Sequence, residues 1–284
     1  MLSYRHAFHA GNHADVLKHL VLIEMLRYLT QKSAPLMVID THAGAGCYRL
    51  ASREAQKLCE YQEGIGRIWQ AEDAPVAVAQ YLAAVRELNP TGELAQYPGS
   101  PWLARRFLRP ADPLRLFELH GNEARALSQT FAGAGRAVRV VEGDGLALLK
   151  SLLPPPGRRA LTFIDPSYET RHDYSAVIAA LKDAGKRFAT GTYALWYPVL
   201  ARLESRQLPE RVQRLSANWL HVRLLVRAPS SDGIGMSGSG LIVFNPPWTL
   251  ADTLRQTLPW LTQRLAQDER AEWRLETGEK RTED

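Results

Sequence analysis

The chain of 284 residues has 45% hydrophobic and 23% charged residues, a composition typical of a globular protein with a full core and one or two domains. Its two cysteines exclude a disulfide-stapled scaffold and indicate a reduced, cytoplasmic protein, and no apolar run is long enough to predict a signal peptide or a membrane span. The net charge of +5 and the pI near 9.3 suit a polyanionic partner such as nucleic acid.

The first predicted element is a helix over residues 12–29, with Asn12 as its N-cap. Apolar residues occupy most of its faces, which indicates a buried helix. The segment that leads into it, YRHAFHAGNHADVLKHL, is basic and aromatic. Its four histidines lack a recognised zinc spacing, so we predict no metal site. An arm of this kind suits nucleic acid, with Tyr4 stacking on a base, although a capping segment packed on the sheet would look similar.

Apolar runs of strand length then alternate with helical patterns along the chain. The seven runs that predict β-strands are 36–39, 114–119, 138–141, 161–164, 192–196, 222–226 and 241–244. Helical patterns between them include 123–132, 145–153 and 174–184. This alternation predicts an α/β fold with a mostly parallel, doubly wound sheet and helices on both faces.

One stretch interrupts the alternation. Residues 51–96 contain no strand candidate and hold helical patterns such as PVAVAQYLAAVREL. We therefore predict a main domain over 1–50 and 97–284, with a small inserted helical subdomain over 51–96. The charged C-terminal sequence ETGEKRTED is predicted to be frayed.

A glycine-rich turn follows the first predicted strand in DTHAGAG. Glycines at this point let the backbone approach a ligand closely. Arg49 stands where the third glycine of a dinucleotide fingerprint would be. A nicotinamide oxidoreductase is therefore a weak alternative, and a plain tight turn would explain the glycines nearly as well.

Acidic residues end the next predicted strands. Glu118 ends the second strand and Asp144 follows the third. Ligands of open α/β sheets bind at the carboxyl ends of strands, near the point where strand order reverses. An acid in the first position can accept both hydroxyls of a ribose, and an acid in the second can accept the exocyclic amine of adenine. Each acid alone would more often be a surface residue, but three successive strand ends that finish in an acid, Asp40, Glu118 and Asp144, indicate a site for an adenosine-containing cofactor.

The fourth predicted strand ends in LTFIDPSYET, where FIDPSYE resembles the D/N-P-P-Y/F/W signature of class I amino-methyltransferases. Asp165 and the carbonyl of Pro166 could each accept an N–H bond from an aryl amine and aim its lone pair at a methyl carbon. Tyr168 would offer a face for stacking the base. Ser167 departs from the usual second proline, which affects loop stiffness more than chemistry.

A second candidate for this signature is Asn245-Pro246-Pro247-Trp248 in VFNPPWT. Its letters match better, but only 36 residues follow Trp248, too few for the rest of such a fold. We interpret it as a late strand stopped by two prolines, which cannot donate to a sheet ladder.

Several motifs together resemble the RlmJ family of 23S ribosomal RNA adenine-N6 methyltransferases. They are MLSYRHAFHAGNHADVLKH, DTHAGAGCY, YPGSP, DPSYE and NPPW, and the resemblance covers essentially the whole chain. It implies a Rossmann-like class I methyltransferase fold with a seven-stranded sheet, S-adenosylmethionine as the cofactor and a monomeric, cytoplasmic enzyme without a metal. The cofactor-binding residues that it implies are Lys18, His19, His42, Ser100, Glu118, Asp144, Gly145 and Asp165. It also implies Asp165 as the catalytic acid and Tyr4 as a contact to the substrate RNA.

Three other functions stay open at this point. An adenine in DNA or a protein amide would use the same signature, although the basic charge weighs against a protein amide. A nucleic-acid-binding protein with a degenerate cofactor fold is the non-catalytic alternative, and Ser167 is its support in the sequence.

Overall fold

The computed structural model describes residues 4–230, 233 and 235–278 of the chain. The α-helices in this part are α1 His13–Leu29, α2 Arg53–Leu58, α3 Ile65–Ile68, α4 Val76–Glu87, α5 Ser100–Phe107, α6 Gly121–Thr130, α7 Gly145–Leu152, α8 Arg171–Arg187, α9 Leu203–Gln213 and α10 Leu250–Leu265. The strands are β1 Met37–Asp40, β2 Cys47–Arg49, β3 Gln96–Pro98, β4 Leu114–Glu118, β5 Val138–Glu142, β6 Ala160–Ile164, β7 Thr192–Val199, β8 Trp219–Leu225, β9 Gly238–Phe244 and β10 Glu272–Gly278. None of the helices in this described part is long and apolar enough to cross a membrane.

The main sheet has the strand order β10-β8-β9-β7-β6-β1-β4-β5. The strands β5, β4, β1, β6 and β7 run parallel, and β9, β8 and β10 extend the sheet by antiparallel pairing. The chain leaves β1 towards β4 and β5 and then returns to β6 on the other side, so the strand order reverses at β1. This is the expected class I methyltransferase fold, and the reversal places a ligand site at the carboxyl ends of β1, β4 and β6.

The predicted strand count was wrong. The main sheet has eight strands in the described part, and β2 and β3 form a separate two-stranded sheet. The eighth strand, β10, includes Glu276, Thr277 and Gly278, which begin the sequence predicted to be frayed. The rest of that sequence, 279–284, lies outside the described residues. Exposed and half-buried residues alternate along β10, so this edge strand lacks the apolar run that marked the others.

The buried helix α1 connects the sheet to the rest of the core. The side chain of Asn12 accepts hydrogen bonds from the backbone of Ala14 and Asp15, which confirms it as the N-cap. Residues 13–23 of α1 are all buried, and the helix packs against β9, α5, α4 and α10. Because α1 is covered on several sides, its polar side chains near the N-terminus lie inside the protein rather than on its surface.

Helices α2, α3 and α4 lie between β2 and β3, within residues 51–96. The antiparallel pairing of β2 with β3 brings the two ends of this segment together. The segment also contacts the residues before α1, because the amide of Ile65 donates to the carbonyl of Gly11 at 2.8 Å. The division of the chain into a main domain and a helical subdomain at these bounds stays a prediction.

Candidate active site

A cavity of about 520 Å³ opens at the carboxyl edge of the parallel strands, a size that suits a small-molecule ligand. Nine of the eleven residues predicted for the site line it. They are Tyr4, Lys18, His19, His42, Ser100, Glu118, Asp165, Pro166 and Tyr168. The other two, Asp144 and Gly145, are not part of its lining.

The glycine-rich turn after β1 and the acid at the end of β4 form one side of the cavity. Glu118 accepts from the backbone amide of Gly44 at 2.8 Å and from that of His120 at 2.7 Å, so its carboxylate is held in place. Gly44 has φ +59°, and a Cβ there would lie 2.2 Å from the hydroxyl oxygen of Tyr48. The turn therefore requires glycine, and it exposes backbone beside a fixed carboxylate.

Asp40 is the last residue of β1, and the sequence predicted no specific role for this acid in the site. Ser100 donates to Asp40 Oδ2 at 2.7 Å, and the backbone amide of His42 donates to Oδ1 at 3.2 Å. Burial raises the pKa of Asp40 to about 7 and lowers the pKa of His42 to about 4. The predicted residues Ser100 and His42 therefore meet on a carboxyl group at the end of β1.

Asp144 and Gly145 lie at the start of α7, next to the end of β1 and outside the lining of the cavity. Asp144 is the N-cap of α7, where its side chain accepts from the backbone amides of Leu146 and Ala147. Its charge acts on the pKa of His42, so it lies near the cavity. A Cβ at Gly145 would lie 2.4 Å from the carbonyl oxygen of Thr41, so glycine allows α7 to pack against the end of β1. The predicted contacts of both residues with a cofactor stay predictions.

Replacing Gly145 with alanine should therefore lower the free energy of unfolding by about 1–3 kcal/mol, because the new methyl group overlaps backbone that cannot move aside. Urea denaturation would measure the change. Gly143→Ala is the matched control, since a Cβ there would make only ordinary contacts of 3.5 Å or more. Equal stability of the two variants would contradict the close packing at Thr41.

A chain of polar contacts forms the other side of the cavity and ends at Asp165. Tyr4 Oη is 2.8 Å from His6 Nδ1, and His6 Nε2 is 2.9 Å from Asp15 Oδ2. Lys18 Nζ then lies 2.7 Å from Asp15 Oδ1 and 2.6 Å from Asp165 Oδ2. We call these five residues the N-terminal relay. It joins the arm before α1 to the acid at the end of β6.

The charges at the centre of the relay stabilise each other. Although burial raises the pKa of Asp15, His6 and Lys18 hold it well below its ordinary value. Burial likewise lowers the pKa of Lys18, but Asp15 and Asp165 together raise it above its ordinary value. Both groups are therefore ionised at neutral pH, and Lys18 sits between two carboxylates. Its predicted role in cofactor binding stays a prediction.

The remaining parts of the signature also face this side. The backbone amide of Tyr4 donates to Glu169 Oε1 at 2.9 Å, so the arm contacts the loop that carries Asp165. Tyr168 has φ +52°, and its hydroxyl donates to the carbonyl of Trp196 at 2.8 Å. Its side chain is only 2% exposed and packs against Tyr174, with ring centroids 4.6 Å apart. The predicted stacking of a base on Tyr168 stays a prediction.

His19 connects the cavity to the helices between β2 and β3. His19 Nδ1 is 2.8 Å from the hydroxyl of Tyr97, which is in turn 2.9 Å from the hydroxyl of Tyr81 on α4. Burial lowers the pKa of His19 to about 3, so the imidazole is neutral at physiological pH. No sequence pattern pointed to Tyr81 or Tyr97.

The pKa of His19 predicts a pH dependence of stability. The unfolded chain binds a proton at His19 below about pH 6.5 and the folded chain does not, so acidification lowers the unfolding free energy. The loss from this group between pH 6.5 and 5 should be about 1–2 kcal/mol. His19→Gln should flatten the profile of unfolding free energy against pH by that amount, as measured by urea denaturation at each pH. Identical profiles for the wild type and His19→Gln would contradict the buried neutral imidazole.

The second signature-like sequence lies elsewhere. Asn245 follows β9, which is antiparallel to β7, and Phe244 pairs with Tyr193 near the start of β7. Asn245 therefore lies at the edge of the sheet opposite Asp165, where its side chain donates to the carbonyls of Ala189 and Gly191. This placement agrees with its interpretation as a strand stop.

Comparisons with known proteins agree on one family. The family described as "Ribosomal RNA large subunit methyltransferase D, RlmJ" matches residues 33–277. The chain is 47% identical to Ribosomal RNA large subunit methyltransferase J of Escherichia coli, over 93% of this chain and 94% of that protein. It is 44% identical to the protein of the same name from Haemophilus influenzae, over 97% and 98%. A crystal structure of a Legionella pneumophila protein superposes with a TM-score of 0.89 at 36% identity, covering 96% of this chain and 99% of that one.

Proposed function

The chain belongs to the RlmJ family of ribosomal RNA large subunit methyltransferases, and we propose that it methylates N6 of one adenine in 23S ribosomal RNA. It is an S-adenosylmethionine-dependent methyltransferase of large-subunit ribosomal RNA. The comparisons do not favour the alternatives of DNA, a protein amide, a nicotinamide enzyme or a non-catalytic protein. A monomer that acts in the cytoplasm, where ribosomal RNA is its substrate, is part of the proposal.

One observation supports the proposed chemistry most directly. The carboxylate of Asp165 lies in the same cavity as the glycine-rich turn and Glu118, at neighbouring strand ends. The size of this cavity and its fixed carboxylate fit an adenosine-containing ligand. Glu118 would hold the ribose, and Asp40 and Ser100 would lie beside the polar end of the cofactor. S-adenosylmethionine, when bound, supplies an electrophilic methyl group.

The residues on the other side of the cavity would position the amine. Lys18 binds Asp165 Oδ2, which leaves Oδ1 able to accept an N–H bond from the adenine amine. The carbonyl of Pro166 would accept the second N–H bond. With both hydrogens held, the nitrogen lone pair is directed at the methyl group, and the proton released after transfer can pass to Asp165. Catalysis then depends mainly on orientation and fixed charge.

The reaction is tested with purified protein, labelled S-adenosylmethionine and unmodified 23S ribosomal RNA. The RNA is digested to nucleosides and analysed by mass spectrometry. N6-methyladenosine that forms with the wild type and not with Asp165→Ala would support the proposal. A different methylated nucleoside, or label in protein or DNA instead, would contradict it.

Tyr4→Ala should weaken RNA methylation more than cofactor binding. A lost stacking contact is worth about 1–3 kcal/mol, which corresponds to a fall in kcat/KM for RNA of about 5- to 150-fold. Calorimetry should find a nearly unchanged Kd for S-adenosylmethionine. Tyr4→Phe is the matched variant, since it keeps the ring and removes only the contact with His6. If both measurements fell equally in Tyr4→Ala, Tyr4 would be a packing residue.

A further inference from the structure

The lining of the cavity is acidic, although its proposed substrate is a polyanion. The carboxylates in the described lining are Asp15, Glu60, Glu118, Glu123, Asp165, Glu169 and Asp173. Its Lys and Arg side chains are Lys18 and Arg202. A nucleotide of RNA brings a phosphate on each side of its base, and the carboxylates of the lining would repel these phosphates. Binding therefore requires a cation that is free to meet them.

Lys18 cannot supply this cation, because it is buried and held between Asp15 and Asp165. Arg202, in contrast, is exposed. Its Nη1 donates to the carbonyl of Tyr168 at 3.2 Å, and it has no ion-pair partner among the described residues. Tyr168 is three residues beyond Asp165, so the Cα atoms of these two residues lie within about 10 Å of each other. Arg202 is thus a free positive charge within reach of a nucleotide whose base contacts Asp165.

A second guanidinium lies beside the same part of the lining. Gly235 and Met236 line the cavity, and a Cβ at Gly235 would lie 2.9 Å from Arg227 Nη2. Within the described residues, the side chain of Arg227 has neither an ion pair nor a hydrogen bond. The exposed Arg171 differs from both, because it pairs with Glu204 at 3.0 Å.

From these positions we propose that Arg202 and Arg227 form the phosphate-binding rim of the site and hold the backbone of the nucleotide whose adenine enters the cavity. A guanidinium can bind phosphate through two parallel N–H bonds, and it stays charged at all relevant pH values. The carboxylates deeper in the cavity then face the base and the cofactor, and the phosphates stay at the mouth. This inference rests on the proposed function and adds to it the residues that position the RNA backbone.

The test uses the full chain and a 23S ribosomal RNA fragment, with initial rates of methyl transfer measured at several KCl concentrations. Arg202→Gln should raise the KM for RNA about tenfold and leave kcat within about twofold. The slope of log(kcat/KM) against log[KCl] should become shallower by about 0.7, and by about twice that in the double variant with Arg227→Gln. The Kd for S-adenosylmethionine should not change.

Arg206→Gln is the matched control, because Arg206 is an exposed arginine of α9, the helix whose N-cap is Arg202, and it does not line the cavity. Its salt slope should equal that of the wild type. Arg202→Lys should have the salt slope of the wild type and a KM for RNA between those of the wild type and Arg202→Gln. Lysine carries the positive charge but lacks the planar guanidinium that binds phosphate through two N–H bonds. If Arg202→Gln lowers kcat and leaves the salt slope unchanged, Arg202 only supports the Tyr168 loop, and the inference is overturned while the proposed function stands. If the wild type transfers no methyl group to RNA, the proposed function fails and this inference fails with it.

Discussion

Asp165→Ala should reduce methyl transfer to RNA by about 10²- to 10³-fold or more, because the amine loses the acceptor that orients it. The Kd for S-adenosylmethionine should remain measurable by calorimetry, since the glycine-rich turn, Glu118 and Ser100 are untouched. Lys18 keeps Asp15 as a partner at 2.7 Å, so the variant should still fold. The thermal transition would verify this before any rate is compared.

Asp165→Asn separates two roles of the side chain. The single amide oxygen can still accept an N–H bond from the amine while Lys18 keeps Asp15 as its partner, but the amide cannot take up a proton at neutral pH. Part of the orientation is therefore kept, and proton acceptance is lost. The signature that this loop resembles contains either Asp or Asn, and we therefore expect Asp165→Asn to be more active than Asp165→Ala. An Asp165→Ala protein with most of its activity would exclude Asp165 from the catalytic role.

Asp15→Asn should have the largest effect on stability. The carboxylate of Asp15 is 1% exposed and accepts from His6, Lys18 and the backbone amide of Gly11. An amide can accept hydrogen bonds only at its oxygen, and it carries no charge. The buried ammonium of Lys18 therefore keeps only one of its two carboxylate partners, Asp165. Breaking such a buried pair costs about 3–5 kcal/mol, which urea denaturation would detect. RNA methylation should fall as well, because the arm and Asp165 are joined through this residue.

Asp252→Asn is the natural control for this change. Asp252 also lies in the first turn of its helix, α10, and it pairs with Arg255 three residues on at 2.6 Å. That pair is exposed, so its loss should cost about 0–1 kcal/mol. If the two variants were equally stable, the burial of Asp15 would contribute nothing, and the N-terminal relay would not be a structural unit.

The parts of the fold that sequence predicted are those with a strong local signal. Buried parallel strands such as β1 and β6 are continuous apolar runs, and both were found within one residue of their bounds. The strands β2 and β3 have three residues each, too few for a periodic pattern. The sheet edge β10 is stabilised by pairing with β8, which the sequence of β10 alone does not reveal.

The residues of the candidate site likewise divide into those with a local sequence signal and those without one. Glu118 and Asp165 were recognisable because each ends an apolar run, and strand ends meet at one edge of a parallel sheet. The contacts of Lys18 with Asp165, and of Ser100 with Asp40, join residues 147 and 60 positions apart. Only tertiary structure reveals such pairs. The Asp15–Lys18 pair could have been predicted from the sequence, since its spacing of three residues places both side chains on one face of a helix.

Strand direction explains why the better match to the signature lies away from the cavity. Asn245-Pro246-Pro247-Trp248 follows an antiparallel strand, so its carboxyl end lies at the edge opposite the cavity. A motif of four letters carries no information about the direction of the strand before it. The position of the motif along the chain was the cue that separated the two.

The hydrogen-bond chain of Tyr81, Tyr97 and His19 limits how far this protein could be shortened. The segment of helices between β2 and β3 could in principle be deleted, because the paired strands bring the two ends of this segment together. However, α4 supplies Tyr81, the last hydroxyl of a buried hydrogen-bond chain that ends at the imidazole of His19. Deleting this segment would remove the hydroxyl that supports Tyr97 and, through it, His19 in the lining of the cavity. A minimal version of this enzyme would therefore have to retain α4 or redesign the His19 side of the site.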